Sequence, residues 1–152
     1  MDLTVEQIMD EWHSLAKEAY ENKIQMKPGA LEYLMQESSK GNTLTLVSAC
    51  VPELGHAVLN RHGLTELFDR IIFAQEVGLE KRDPDFFPQV LQLLNVAPEE
   101  CIFYDDSPEN CAAGKAVGMT VIGVLDPLYE NDFMRMSATC DRYITNFTEL
   151  LD

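Results

Sequence analysis

Five short apolar runs, separated by stretches of helical periodicity, constrain this chain more than anything else in its 152 residues. They are Thr43-Leu44-Thr45-Leu46-Val47, Arg70-Ile71-Ile72-Phe73-Ala74, Cys101-Ile102-Phe103-Tyr104, Thr120-Val121-Ile122-Gly123-Val124 and, more weakly, Arg142-Tyr143-Ile144. The runs are continuous rather than alternating, as expected of strands covered on both faces by helices. Pro52, Pro84 and Pro108 stand at expected helix starts, while Gly63 and Gly118 stand just past helix ends. Such alternation predicts an α/β fold: a three-layer, parallel, Rossmann-like sheet of five strands with right-handed crossovers.

Two helices precede the first strand. Thr4-x-x-Gln7 is a capping box, followed by Val5, Ile8, Trp12, Leu15, Ala16 and Ala19 on one helical face, where Trp12 is expected to pack. Pro28 opens a second helix through Leu31, Leu34 and Met35, which Gly41 stops. The one candidate boundary lies near residues 26–29. Met35, Met119, Met134 and Met136 read as core filler, and His13, His56 and His62 as surface or helix-packing residues.

Composition narrows the function classes. Eleven Lys plus Arg against 26 Asp plus Glu give a net charge of −15, so neither a nucleic-acid backbone nor an anionic membrane is an expected partner. The uncharged stretch Gly41 to Pro52 is too short to span a bilayer, and the first six residues lack the basic and apolar regions of a signal peptide. Cys50, Cys101, Cys111 and Cys140 form no CxxC and have no neighbouring His. They read as buried free thiols in a reducing cytoplasm.

Ligands of parallel α/β sheets bind beyond the carboxyl ends of the strands. Those ends carry Ser48, the loop with Lys81, and Asp105-Asp106. Adjacent carboxylates at a strand end suit Mg²⁺, with water and a substrate phosphate completing its octahedron. The plainer reading of Asp106-Ser107-Pro108 is a helix cap. Lys81 can neutralise a phosphoryl group as a point charge, or simply pair with Glu80 or Asp83. Ser48 can donate to a phosphoryl oxygen, or serve only as a turn residue.

Together these segments resemble the haloacid dehalogenase superfamily, specifically its small phosphatases and phosphomutases. Leu44-Thr45-Leu46-Val47-Ser48 looks like the family's strand ending in Ser or Thr. Lys81 before Asp83-Pro84-Asp85-Phe86-Phe87 looks like its lysine motif, with Arg82 where Pro is common. Phe103-Tyr104-Asp105-Asp106-Ser107-Pro108-Glu109-Asn110, followed by Ala112-Ala113-Gly114-Lys115, looks like its acidic motif. The resemblance implies a Mg²⁺-dependent phosphatase of small phosphorylated metabolites. Ser48 and Ala49 would bind phosphate, Lys81 and Ser48 would serve catalysis, and Asp105 with Asp106 would hold the metal. Residues 1–26 would be a residual helical cap segment and 27–152 the core.

The family's first motif, an apolar strand running into Asp-x-Asp-x-Thr/Val, has no counterpart here. Asp2-Leu3-Thr4-Val5 opens a helix instead. The chain is therefore expected to be truncated, lacking its central strand and nucleophile, and to be inactive as it stands. The competing reading is a non-catalytic remnant that binds metal, phosphate or a partner protein. A phospho-accepting receiver domain is set aside, because there the acidic pair follows the first strand and the lysine comes last. Loss of a central strand predicts that the strands of Ser48 and Asp105 close up and pair in the order 2-1-3-4-5, or borrow a strand from a partner. An open sheet edge would also permit a homo-oligomer.

Overall fold

The computed structural model describes residues 3–126 and 131–152; Met1 and Asp2 of the leader reading lie outside them. Helix α1 (Val5–Asn22) starts at the capping box, with Thr4 and Gln7 reciprocally bonded. Helix α2 (Ala30–Ser39) begins two residues after Pro28, because Gly29 takes a left-handed turn at its N-cap. The chain then runs β1 (Thr45–Ser48), α3 (Pro52–Arg61), β2 (Arg70–Phe73), α4 (Ala74–Val77) and α5 (Phe86–Leu94). It continues through β3 (Ile102–Asp105), α6 (Pro108–Ala116), β4 (Thr120–Val124), α7 (Phe133–Thr139) and β5 (Arg142–Ile144). A 3₁₀ turn, Phe147–Leu150, forms the final turn of helix.

All pairings are parallel, and the five expected strands are present. The sheet does not close. β1 pairs with β2, and β3 pairs with β4, which pairs with β5, but β1 and β3 do not pair. The expected 2-1-3-4-5 order is thus overturned, leaving one edge of β1 and one edge of β3 without a ladder partner among the described residues. Side-chain burial follows the break. β1 is only partly buried throughout and Ile102 of β3 is 56% exposed, whereas Phe73 of β2 and Val121 of β4 are buried. In a closed parallel sheet the inner strands would be the better covered ones.

One core nonetheless joins the two half-sheets. Phe86, Phe87, Val90 and Leu91 of α5 pack with Ile72 on one side and with Val121, Cys111 and Met136 on the other. The α5 face is apolar at i, i+1, i+4 and i+5, which is why it can serve both halves. Phe87 meets Phe103 edge-on at 4.8 Å between ring centres.

Other expectations are corrected by exposure. Met119 and Met136 are core residues, but Met35 and Met134 are 58% and 81% exposed. Trp12 is 56% exposed on an α1 that has no buried residue. Of the four free thiols only Cys111 is buried; Cys50, Cys101 and Cys140 are partly so. No helix among the described residues is long and apolar enough to cross a membrane.

Candidate active site

The carboxyl ends of β1, β2 and β3 open toward one edge of the molecule. An open pocket of about 560 Å³ there is lined by Ala49, Gln75, Lys81 and Asn110 among others. Ala49 follows β1, Lys81 lies in the loop after α4, and Asn110 sits in the first helical turn after β3. Three separate segments therefore converge on it.

Lys81 does not take the local partners its sequence offers. Arg82 pairs with Glu80 at 2.7 Å on the surface, while Lys81 reaches across to Asp105, Nζ to Oδ2, at 2.9 Å. Both side chains are nearly buried, at 12% and 5% exposure. The other Asp105 oxygen, Oδ1, accepts the Ser107 amide at 2.8 Å and the Asn110 Nδ2 at 3.3 Å. Asp105 is thus satisfied on both oxygens, as a buried carboxylate has to be. Ser107 in turn caps α6, accepting from the Asn110 amide, with Pro108 as the first helical residue. The helix-cap reading and the site reading of this segment hold together.

Asp106 is in a different position. It is half-buried, and its carboxyl is pushed above the usual range, first by burial and then by the charge of Asp105. Among the described residues it has no ion-pair partner. Lys27 is close enough to oppose the shift, but it is paired with Asp126 at 3.1 Å. Asp106 is accordingly a carboxylate short of a cation. No third acidic, His or Cys side chain joins the pair into a metal cluster among the described residues. Mg²⁺ nevertheless needs only one or two protein carboxylates when water and a phosphate supply the remainder, so the donor set suits it.

Ser48 ends β1, and its Oγ accepts the Cys50 amide at 3.0 Å. That contact fixes the hydroxyl in its own turn, while the proton stays free to donate outward. The Cys50 thiol also lies beside the Tyr20 phenol, whose pKa is pushed up to about 12, first by that neighbour and then by burial. α1 is thereby tied to the loop after β1. Sequence reasoning missed Asn110, Lys27 and Tyr20. Asn110 alone left a signal, falling one turn after an Asp-Asp-Ser-Pro cap.

Residues 1–124 match the family described as haloacid dehalogenase-like hydrolase. The phosphorylated carbohydrates phosphatase of Thermotoga maritima is 30% identical over 117 residues, 76% of this chain and 54% of that protein. The phosphoserine phosphatase of Thermus thermophilus is 33% identical over 87 residues, 57% of this chain and 35% of that protein. The chain spans about half or less of the length of these curated relatives. A β-phosphoglucomutase-like structure from Thermotoga maritima superimposes with a TM-score of 0.84 at 25% identity, covering 99% of this chain and 73% of that one. The L-2-haloacid dehalogenase of Xanthobacter autotrophicus, at 20% identity and a TM-score of 0.74, shares the fold over 99% of this chain and 66% of its own.

Proposed function

Because the chain belongs to the haloacid dehalogenase-like hydrolases, we propose that its pocket is the phosphate site of a Mg²⁺-dependent phosphatase acting on small phosphorylated metabolites. The observation that carries this reading is Lys81, which lines the pocket with Ala49 and Asn110 while its ammonium pairs with Asp105 at the end of β3. Lys81 is held where an ammonium offsets phosphoryl charge, and its pairing keeps it from turning to solvent. The Ser48 hydroxyl proton and the exposed turn at Ala49 offer donors to a phosphoryl oxygen. Asp105 and Asp106 would hold the metal, with Asp106 as the carboxylate that has no cation of its own. Bound Mg²⁺ would supply positive charge to a phosphate in the pocket.

Two family relatives, a phosphorylated carbohydrates phosphatase and a phosphoserine phosphatase, support the substrate class. We also propose that residues 1–26 are a cap segment and 27–152 the core. α1 packs on α3, reinforced by Lys17–Glu53 at 3.8 Å, and Arg61 donates to the Ile24 carbonyl at 2.8 Å.

The 152-residue polypeptide itself is expected to show no turnover. Carboxylate nucleophiles of this chemistry must approach the phosphorus in line. No segment of the 152 residues forms the apolar strand running into Asp-x-Asp-x-Thr/Val that supplies that carboxylate in the family. The test is a thermal-shift titration with inorganic phosphate and Mg²⁺, paired with hydrolysis of p-nitrophenyl phosphate. Stabilisation by phosphate that requires Mg²⁺ and disappears in Asp106→Asn is expected. No response to either ligand would remove the site, and turnover lost in Asp106→Ala would refute the inactivity.

A further inference from the structure

Among the described residues β2 has only β1 as a ladder partner, so its other edge carries unpaired backbone groups. That strand, Arg70 through Phe73, lines a second open groove of about 590 Å³ that includes no residue of β1. Val77 and Leu93 provide an apolar wall, with Leu93 54% exposed, and Gln89 and Gln92 line the rim. Arg70 stands at the start of the strand, and Glu76 stands in α4 just past its end. Neither has an ion-pair partner among the described residues.

A four-residue edge carrying one Arg is also how proteins discourage edge pairing. Arg70 alone would carry only that meaning. Glu76 at the opposite end changes it, because a two-fold axis through an antiparallel pair of β2 strands brings the start of each strand to the end of the other. The Arg70 guanidinium of one copy then falls within reach of the Glu76 carboxylate of the second, twice over. The groove is self-complementary in charge, as an isologous interface requires.

We propose that the β2 edge is a homodimer interface, in which two copies of this chain pair β2 against β2 antiparallel, with reciprocal Arg70–Glu76 ion pairs at its ends. At −15 per copy, long-range repulsion opposes association in dilute buffer, while at about 0.15 M salt charges more than about 8 Å apart are largely screened.

Sedimentation equilibrium at that ionic strength tests the proposal, using the intact chain and the variants Arg70→Glu, Glu76→Arg and both together. Circular dichroism checks that each variant, changed only at surface positions, remains folded. A concentration-dependent dimer is expected, weakened about tenfold or more by either reversal and restored by the double variant. A monomer at every concentration overturns the proposal. So does a dimer that both single reversals leave unchanged, since it would then be held by another surface.

Discussion

The Lys81 ammonium sits 2.9 Å from the Asp105 carboxylate, joining the loop after α4 to the end of β3 across the break in the sheet. With Asp105 8% exposed, removing the cation leaves a charge that water cannot reach. Lys81→Met is therefore expected to cost about 3 kcal/mol of unfolding free energy. Lys81→Met combined with Asp105→Asn should cost much less than the two single changes added together. Urea denaturation of the four proteins, read as a double-mutant cycle, measures the coupling.

Gly55 in α3 should resist the substitution that usually helps a helix. A Cβ at that position would lie 2.4 Å from Cε1 of Phe73, which is 1% exposed. Ala ordinarily improves on Gly in a helix interior by up to about 1 kcal/mol. Here the ring has nowhere to move, so Gly55→Ala is expected to destabilise by about 1–3 kcal/mol. A Tm equal to or above that of the parent would show that the ring has room to yield.

The start of β4 depends on a carboxylate and should show it in pH dependence. Asp141 accepts the Val121 amide at 2.8 Å and is paired with Lys115. Its pKa is lowered, first by the Lys115 contact and then by the Val121 amide. A lowered folded-state value means that the stabilisation is complete above the ordinary carboxylate pKa of about 3.9 and is lost as pH falls through the folded value. Asp141→Asn should melt below the parent at pH 7, and the two curves should converge in strong acid. A constant difference across the titration would mean that the charge is not what matters.

Hydrogen exchange should find the open edges. Successive amides of a strand point to opposite sides, so in β1 and β3 every other N–H faces a ladder partner and the rest face the break. Alternating slow and fast amides are expected through Leu46–Ser48 and Phe103–Asp105, against protection wherever β4, flanked on both sides, donates to a neighbour. Uniform protection of β1 and β3 would mean that the half-sheets do pair in solution.

Where the local signal was strong, the chain could be read to the residue. β4 and β5 begin and end as expected, since Gly118 and Asp141 bound them, and α3 and α6 start on Pro52 and Pro108. α4 and α7 were not visible. Ala74–Val77 follows its strand with no turn residue between them, and Phe133–Thr139 is short, with an Asp132 N-cap that makes no side-chain bond. The expected closure of β1 onto β3 failed for a different reason. Pairing between strands depends on where the helices on either side hold them, and α5 already buries its face against both half-sheets. The Lys81–Asp105 contact was equally hidden, because Glu80 and Asp83 are nearer in sequence and only the fold selects the distant partner.

The break also divides the molecule along its own sequence. β1 and β2 pair across a single intervening helix, as do β3 with β4 and β4 with β5. Every strand pairing therefore closes within one β-α-β unit, and none must wait for the two ends of the chain to meet. Each half can therefore pair its own strands without the other, once the loop that carries each crossover helix has closed. The two halves are joined by the core around α5 and also through α2 and the turn before it, where Tyr33 bonds Tyr104 and the Phe147 amide donates to the Pro28 carbonyl. Perturbing Phe86 or Phe87, which are 0% and 2% exposed, acts on the step that makes two foldons into one protein.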